Sequence, residues 1–149
     1  MEGFSTDCPV VLVTGAAKRI GAAVSCRFHE SGYRTLIHFN RSELEAEELY
    51  AKLNGLRADS AFLVQGDLND PSTLDTIVKE VTKLGRLDVL VNNASSFYPT
   101  PLEAANEGQW NDLMNSNLKS PFFLCKRLAK VLTQNSGSIV NLADIHAYQ

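Results

Sequence analysis

No stretch of this chain approaches the roughly 18–20 consecutive apolar residues that a membrane-spanning helix needs, so no membrane partner is expected. Met1 to Asp7 lack both the basic start and the apolar run of a signal peptide. Cysteine is scarce and odd in number. Cys8, Cys26 and Cys125 show neither metal-ligand nor Cys-x-x-Cys spacing, which predicts free thiols in a reducing, cytoplasmic setting and no metal site. An excess of basic residues is missing too. With 14 Lys+Arg against 17 Asp+Glu the net charge is −3, which argues against the basic face that nucleic-acid binding requires. There is no internal repeat, low-complexity tract or linker, so residues 1–149 read as one domain with enough apolar material for a core.

What the chain does contain is an alternation of strand-like and helical patterns. Pro9 to Val13 is a continuous apolar run, as expected for a strand covered on both faces. A helix is expected from Arg19 to Ser31, with Ile20, Val24 and Phe28 on one face and Gly32 as its stop. Tyr33 to Phe39 reads as a second strand. Ser42 and Glu45 have capping-box spacing and open a helix carrying Leu49, Leu53 and Leu56. The third strand is Ala61 to Gln65. Asp70-Pro71 then starts a helix with Leu74, Ile77, Val78, Val81 and Leu84 at helical spacing, closed by Gly85. Leu87 to Val91 is a fourth strand. A helical region from about Glu107 to Leu132 is expected to bend near Pro121 and to pack Trp110 at the core edge, and Ser138 to Leu142 is a fifth strand. Five strands joined by helical crossovers predict a doubly wound α/β fold around a parallel sheet.

The chemistry concentrates where strands end. Thr14 to Gly21 joins the first strand to the first helix, and glycines there permit close approach of a phosphate to a helix N-terminus. A triphosphate-binding P-loop would need a Gly-Lys-Ser/Thr sequence beginning where Ile20 stands. After the second strand, His38-Phe39-Asn40-Arg41-Ser42 lacks the acid that would bind an unmodified adenosine ribose. Arg41 and Ser42 suit a 2′-phosphate instead, so the expected cofactor is NADPH rather than NADH. Asp67, beside Leu68 after the third strand, can accept from an adenine amino group. Asn92-Asn93-Ala94 ends the fourth strand with residues small enough to let backbone pass close to a ribose.

Together these motifs, from Val10 to Ile145, resemble the short-chain dehydrogenase/reductase family, which implies a Rossmann-like fold and a nicotinamide cofactor. The family's turn is Thr-Gly-x-x-x-Gly-x-Gly, and here its middle glycine is Arg19. That departure, the His38-x-x-Arg41-Ser42 pattern and the string Asn92 to Pro101 resemble the pteridine reductase branch, which implies NADPH-dependent reduction of pterins or folates. By this resemblance the cofactor contacts are Gly15, Lys18, Arg19, Ile20, Gly21, His38, Asn40, Arg41, Ser42, Asp67, Leu68, Asn93, Ala94 and Ser95. Arg19, Ser95 and Phe97 would meet the pterin, with Phe97 stacked on its ring. Asn117 matches the helical asparagine that the family uses to hold a water. Asp144 stands where most members carry a serine and suits proton delivery to a ring nitrogen.

The family's Tyr-x-x-x-Lys pair does not occur before Gln149. The chain is therefore expected to be an amino-terminal part lacking some catalytic machinery and the last strands, with weak or no turnover and a tendency to aggregate alone. Homo-oligomers are expected of a full-length form. Two other readings stand beside this one: a related reductase acting on a ketone, and a non-catalytic shortened isoform that binds NADPH or a partner.

Overall fold

Successive residues of a strand point to opposite faces, and in this protein both faces are apolar. In β1 (Val10–Val13) all four side chains are fully buried, Val10 and Leu12 toward one layer of helices and Val11 and Val13 toward the other. Around it lie β2 (Arg34–Phe39), β3 (Ala61–Gln65), β4 (Val89–Asn92) and β5 (Ser138–Asn141). All pairings are parallel, in the order β3-β2-β1-β4-β5. This is the Rossmann-like doubly wound α/β fold, seen in a computed structural model that describes residues 8–143.

One face of the sheet is covered by α1 (Arg19–Glu30) and α2 (Glu43–Leu56). Helix α2 contributes Ala46, Leu49 and Leu53 to a core with Val13, Ile37 and Val91, and half-buried Val24 and Phe28 of α1 pack against it. The other is covered by α3 (Pro71–Leu84) and α5 (Ser120–Gln134), whose Leu74, Ile77, Val81, Leu124, Leu128 and Leu132 pack on Leu12, Leu36 and Leu90. The chain steps outward from β1 to β3, then crosses back to place β4 on the other side of β1. Such a reversal opens a crevice at the carboxyl ends of the two central strands.

Several local expectations change. The buried stripe of α1 is Gly21, Ser25 and His29, while Ile20 is 61% exposed. Small and polar residues can face inward here because each polar group is satisfied: Ser25 Oγ donates to Gly21 O at 2.8 Å, and His29 Nε2 meets Ser60 Oγ at 2.7 Å. Leu56 and Trp110 are exposed rather than core residues. The capping box at Ser42 does not form. Ser42 makes no side-chain cap bond, and Glu45 pairs instead with Lys18 Nζ at 3.1 Å. The region after Glu107 consists of α4 (Glu107–Met114), a π-turn (Asn115–Lys119) and α5. The register change precedes Pro121, where Ser120 N–H reaches back five residues to Asn115 O. Proline lacks the N–H that would continue the α ladder, so the wider turn absorbs the interruption.

Candidate functional site

At the carboxyl edge the strand ends are tied together before any ligand is considered. Thr14, buried at the end of β1, uses its Oγ1 to accept from the Asn93 and Ala94 N–H groups, both at 3.0 Å. Asn93 Nδ2 returns the tie, donating to Thr14 O and Gly15 O at 2.9 and 3.0 Å. Gly15 adopts φ +61°, and a Cβ there would lie 2.9 Å from Ala94 Cα. At Gly21 a Cβ would collide with Gly15 O and come within 2.6 Å of Asn93 Nδ2. The turn is thus packed too tightly for side chains at these two positions, leaving backbone and the start of α1 at the surface of the crevice. Lys18, at the N-cap of α1, makes no side-chain cap bond, and the first turn contains no acid. A helix start of that kind favours an anion.

His38 fixes the turn from below. Gly15 N–H donates to its Nδ1 at 3.2 Å, so the ring proton resides on Nε2, which donates to Gly66 O at 3.1 Å. The side chain is 2% exposed, and burial lowers its pKa from 6.5 to about 4, outweighing the Gly66 and Asp67 contributions that would raise it. His38 is therefore a neutral brace between the turns that follow β1 and β3.

A cleft of about 750 Å³ opens above these ties. Its walls bring together Gly15, Lys18, Arg19, Ile20 and Gly21 from the first turn, and His38, Asn40, Arg41 and Ser42 from the end of β2. Asp67 and Leu68 come from the loop after β3, and Asn93, Ala94, Ser95 and Phe97 from the loop after β4. Arg19 holds φ +53°, the left-handed region in which glycine is the usual residue. Asp67 Oδ1 accepts from Asn69 N–H at 2.9 Å and shapes its own loop. Phe97 is 87% exposed, its ring bare at the cleft wall.

Asn117 sits in the π-turn beside the cleft, not in its wall. Its Oδ1 accepts from Ser96 N–H at 3.0 Å and its Nδ2 donates to Ser96 O at 2.8 Å, so both ends of the amide clamp the backbone of one residue, Ser96. Asp144 lies outside the described residues. Sequence reasoning missed Asn69, Tyr98, Asp112 and Ser116, which also line the cleft. Tyr98 O–H donates to Asp112 Oδ2 at 3.0 Å, and partial burial, then this carboxylate, raise the phenol pKa. Tyr98 lay within a motif already noted, whereas a single Asp on a helix carries no pattern. Among the described residues no cluster of His, Cys, Asp or Glu could hold a metal ion, and no helix is long and apolar enough to cross a membrane.

The sequence is similar to those of known proteins. The chain is 37% identical to Pteridine reductase 1 of Leishmania tarentolae over 179 aligned positions, covering 94% of this chain and 62% of that protein. It is 34% identical over 136 positions to the 3-oxoacyl-(acyl-carrier-protein) reductase FabG of Staphylococcus aureus, covering 90% and 55% respectively, and 32% identical to the FabG of Staphylococcus epidermidis. The chain therefore spans less than two thirds of the length of these relatives. Residues 9–148 match the short chain dehydrogenase family model, and the chain belongs to that family.

Proposed function

We propose that residues 1–149 form one nucleotide-binding domain whose cleft takes NADPH, and that the protein serves in the reduction of a pterin or folate. The observation that carries the cofactor reading is the end of β2. No acid stands there, Arg41 and Ser42 line the cleft, and Ser42 does not cap its own helix. The fit of the first turn supports it: Gly15 and Gly21 have no room for side chains, and the uncapped start of α1 faces the same space. When bound, NADPH supplies a hydride. Arg41 and Ser42 would hold its 2′-phosphate, Lys18 and Arg19 would meet the other phosphates, and Asp67 would accept from the adenine amino group. Asn40, Ile20, Leu68, Asn93, Ala94 and Ser95 complete the cofactor wall in this reading.

The pterin reading rests on the exposed Phe97 ring beside Ser95 and Arg19, and on the likeness to a protein named Pteridine reductase 1. A flat heteroaromatic ring is well held against an aromatic face. Asn117 would keep the β4 loop in place, and Asp144 would carry a proton for a ring nitrogen. The similarity to the FabG proteins supports the alternative of a ketone-reducing enzyme. A reducing, cytoplasmic location and homo-oligomers of a full-length form belong to the same proposal.

The test is a pair of titrations. NADPH should bind more tightly than NADH, and biopterin should then bind the NADP⁺-saturated protein while a small ketone does not. Equal affinity for the two dinucleotides would overturn the cofactor reading, and biopterin failing to bind would overturn the substrate reading.

A further inference from the structure

We propose that Asp112 is a positioning residue that sets the wall of the substrate subsite and couples it to the cofactor side of the cleft. The idea rests on the pterin-binding reading for its effect on a ligand, but not for its effect on the loops. Asp112 projects from α4, and its two carboxylate oxygens have separate partners. Oδ2 accepts from Tyr98 O–H at 3.0 Å, and Oδ1 accepts from Asn69 Nδ2 at 3.1 Å. Tyr98 belongs to the loop after β4 and Asn69 to the loop after β3, and all three residues line the cleft. One carboxylate therefore fastens both loops to one helix.

The β4 loop needs such an anchor because it has no regular backbone between Asn93 and Pro101. Its start is held by Thr14 through the Asn93 and Ala94 N–H groups, and Ser96 is held by Asn117. Phe97 lies between the Ser96 clamp and the Tyr98 tether. Its ring, 87% exposed, gains little order from packing of its own. The direction it presents to a flat ligand is thus set by its two chain neighbours. A carboxylate can accept two such bonds at once, and each is a hydrogen bond to a charged group, stronger than one between neutral partners.

Tyr98→Phe removes one hydroxyl and keeps the ring, so it isolates the tether from packing. Amide hydrogen exchange in the ligand-free chain should be roughly tenfold faster at Ser95 to Phe97, with residues 67–69 unchanged. Asp112→Leu should speed exchange in both loops. Asp112→Asn should restore most of the protection, because an amide can still accept from Asn69 and donate to the Tyr98 oxygen. In the NADP⁺-saturated protein, Tyr98→Phe should weaken biopterin binding by roughly tenfold and leave NADPH affinity unchanged. Unchanged exchange at Ser95 to Phe97 in Tyr98→Phe would overturn the proposal whether or not biopterin binds. Faster exchange, with no biopterin bound by the unsubstituted protein, would support the tether and reject the pterin reading alone.

Discussion

Gly15 N–H donates to His38 Nδ1 across 3.2 Å, and this one bond ties the glycine turn after β1 to the end of β2. It exists only while the imidazole is neutral, because a protonated Nδ1 is a donor and would face another donor. The same bond defines the tautomer that lets Nε2 hold Gly66 O. The glycine turn is therefore braced by a residue that is itself titratable and buried.

Folding stability should consequently fall on acidification. His38 titrates at about 4 in the folded protein against 6.5 for an ordinary histidine, so between those values the unfolded chain binds a proton that the folded chain refuses. The stabilisation is complete above about pH 6.5, declines as the pH falls, and has lost on the order of 3 kcal/mol by about pH 4. Urea midpoints measured from pH 7 to pH 4.5 check this. His38→Asn, which keeps an acceptor near Gly15 but does not titrate, should flatten most of the slope. Burial also lowers the pKa of His29, so a smaller slope of the same sign should persist.

Arg41→Ala should weaken NADPH binding by roughly 10- to 100-fold, the range for a charged hydrogen bond to phosphate, and change NADH binding by no more than about twofold. Arg41 is exposed at the cleft wall, so the substitution should leave the melting temperature unaltered. Isothermal titration with both dinucleotides measures the ratio. An equal loss for both would remove Arg41 from the 2′-phosphate.

How much was legible in the sequence depends on how local the cause is. The strands were readable because a sheet covered on both faces demands continuous apolar runs, and Ala61–Gln65 occurs where that pattern placed it. The N-cap at Asp70 was readable because its bond, Oδ1 to Ser72 N–H at 2.9 Å, spans two residues. The inward face of α1 was not, since Gly21, Ser25 and His29 carry no hydrophobic signal and depend on partners such as Ser60, 31 residues from His29. The capping box at Ser42 failed for a similar reason: Glu45 finds Lys18, 27 residues away. Asp112 was invisible because its partners lie 14 and 43 residues distant, brought together only by the topology.

Gly21→Ala should damage both fold and binding. The added methyl would strike Gly15 O and lie 2.9 Å from Ala16 Cα, both backbone atoms that cannot swing aside. Separating α1 from the turn is the available relief, at a cost of roughly 1–3 kcal/mol. Urea denaturation should show that loss, and NADPH affinity should fall with it because the helix start moves. A variant of unchanged stability would mean that the turn yields more readily than its packing indicates.

Arg19→Gly should move stability and binding in opposite directions. Arg19 adopts φ +53°, which costs a residue with a Cβ roughly 1 kcal/mol and costs glycine nothing. Against that gain stands the greater freedom of glycine in the unfolded chain, roughly 0.5–1 kcal/mol, so the net stabilisation should be small, at most about 1 kcal/mol. The lost guanidinium, by contrast, faces the cleft, where it would meet the cofactor phosphates and the substrate. NADPH and biopterin affinity should both fall, by roughly tenfold or more if one charged hydrogen bond is lost. Thermal melting paired with titration of the same variant reads both effects. Arg19→Ala is the control: it removes the charge while keeping the strained backbone, so it should lose affinity without gaining stability. If Arg19→Gly instead melts lower and binds as before, the arginine supports the fold and its left-handed backbone has no bearing on the cleft.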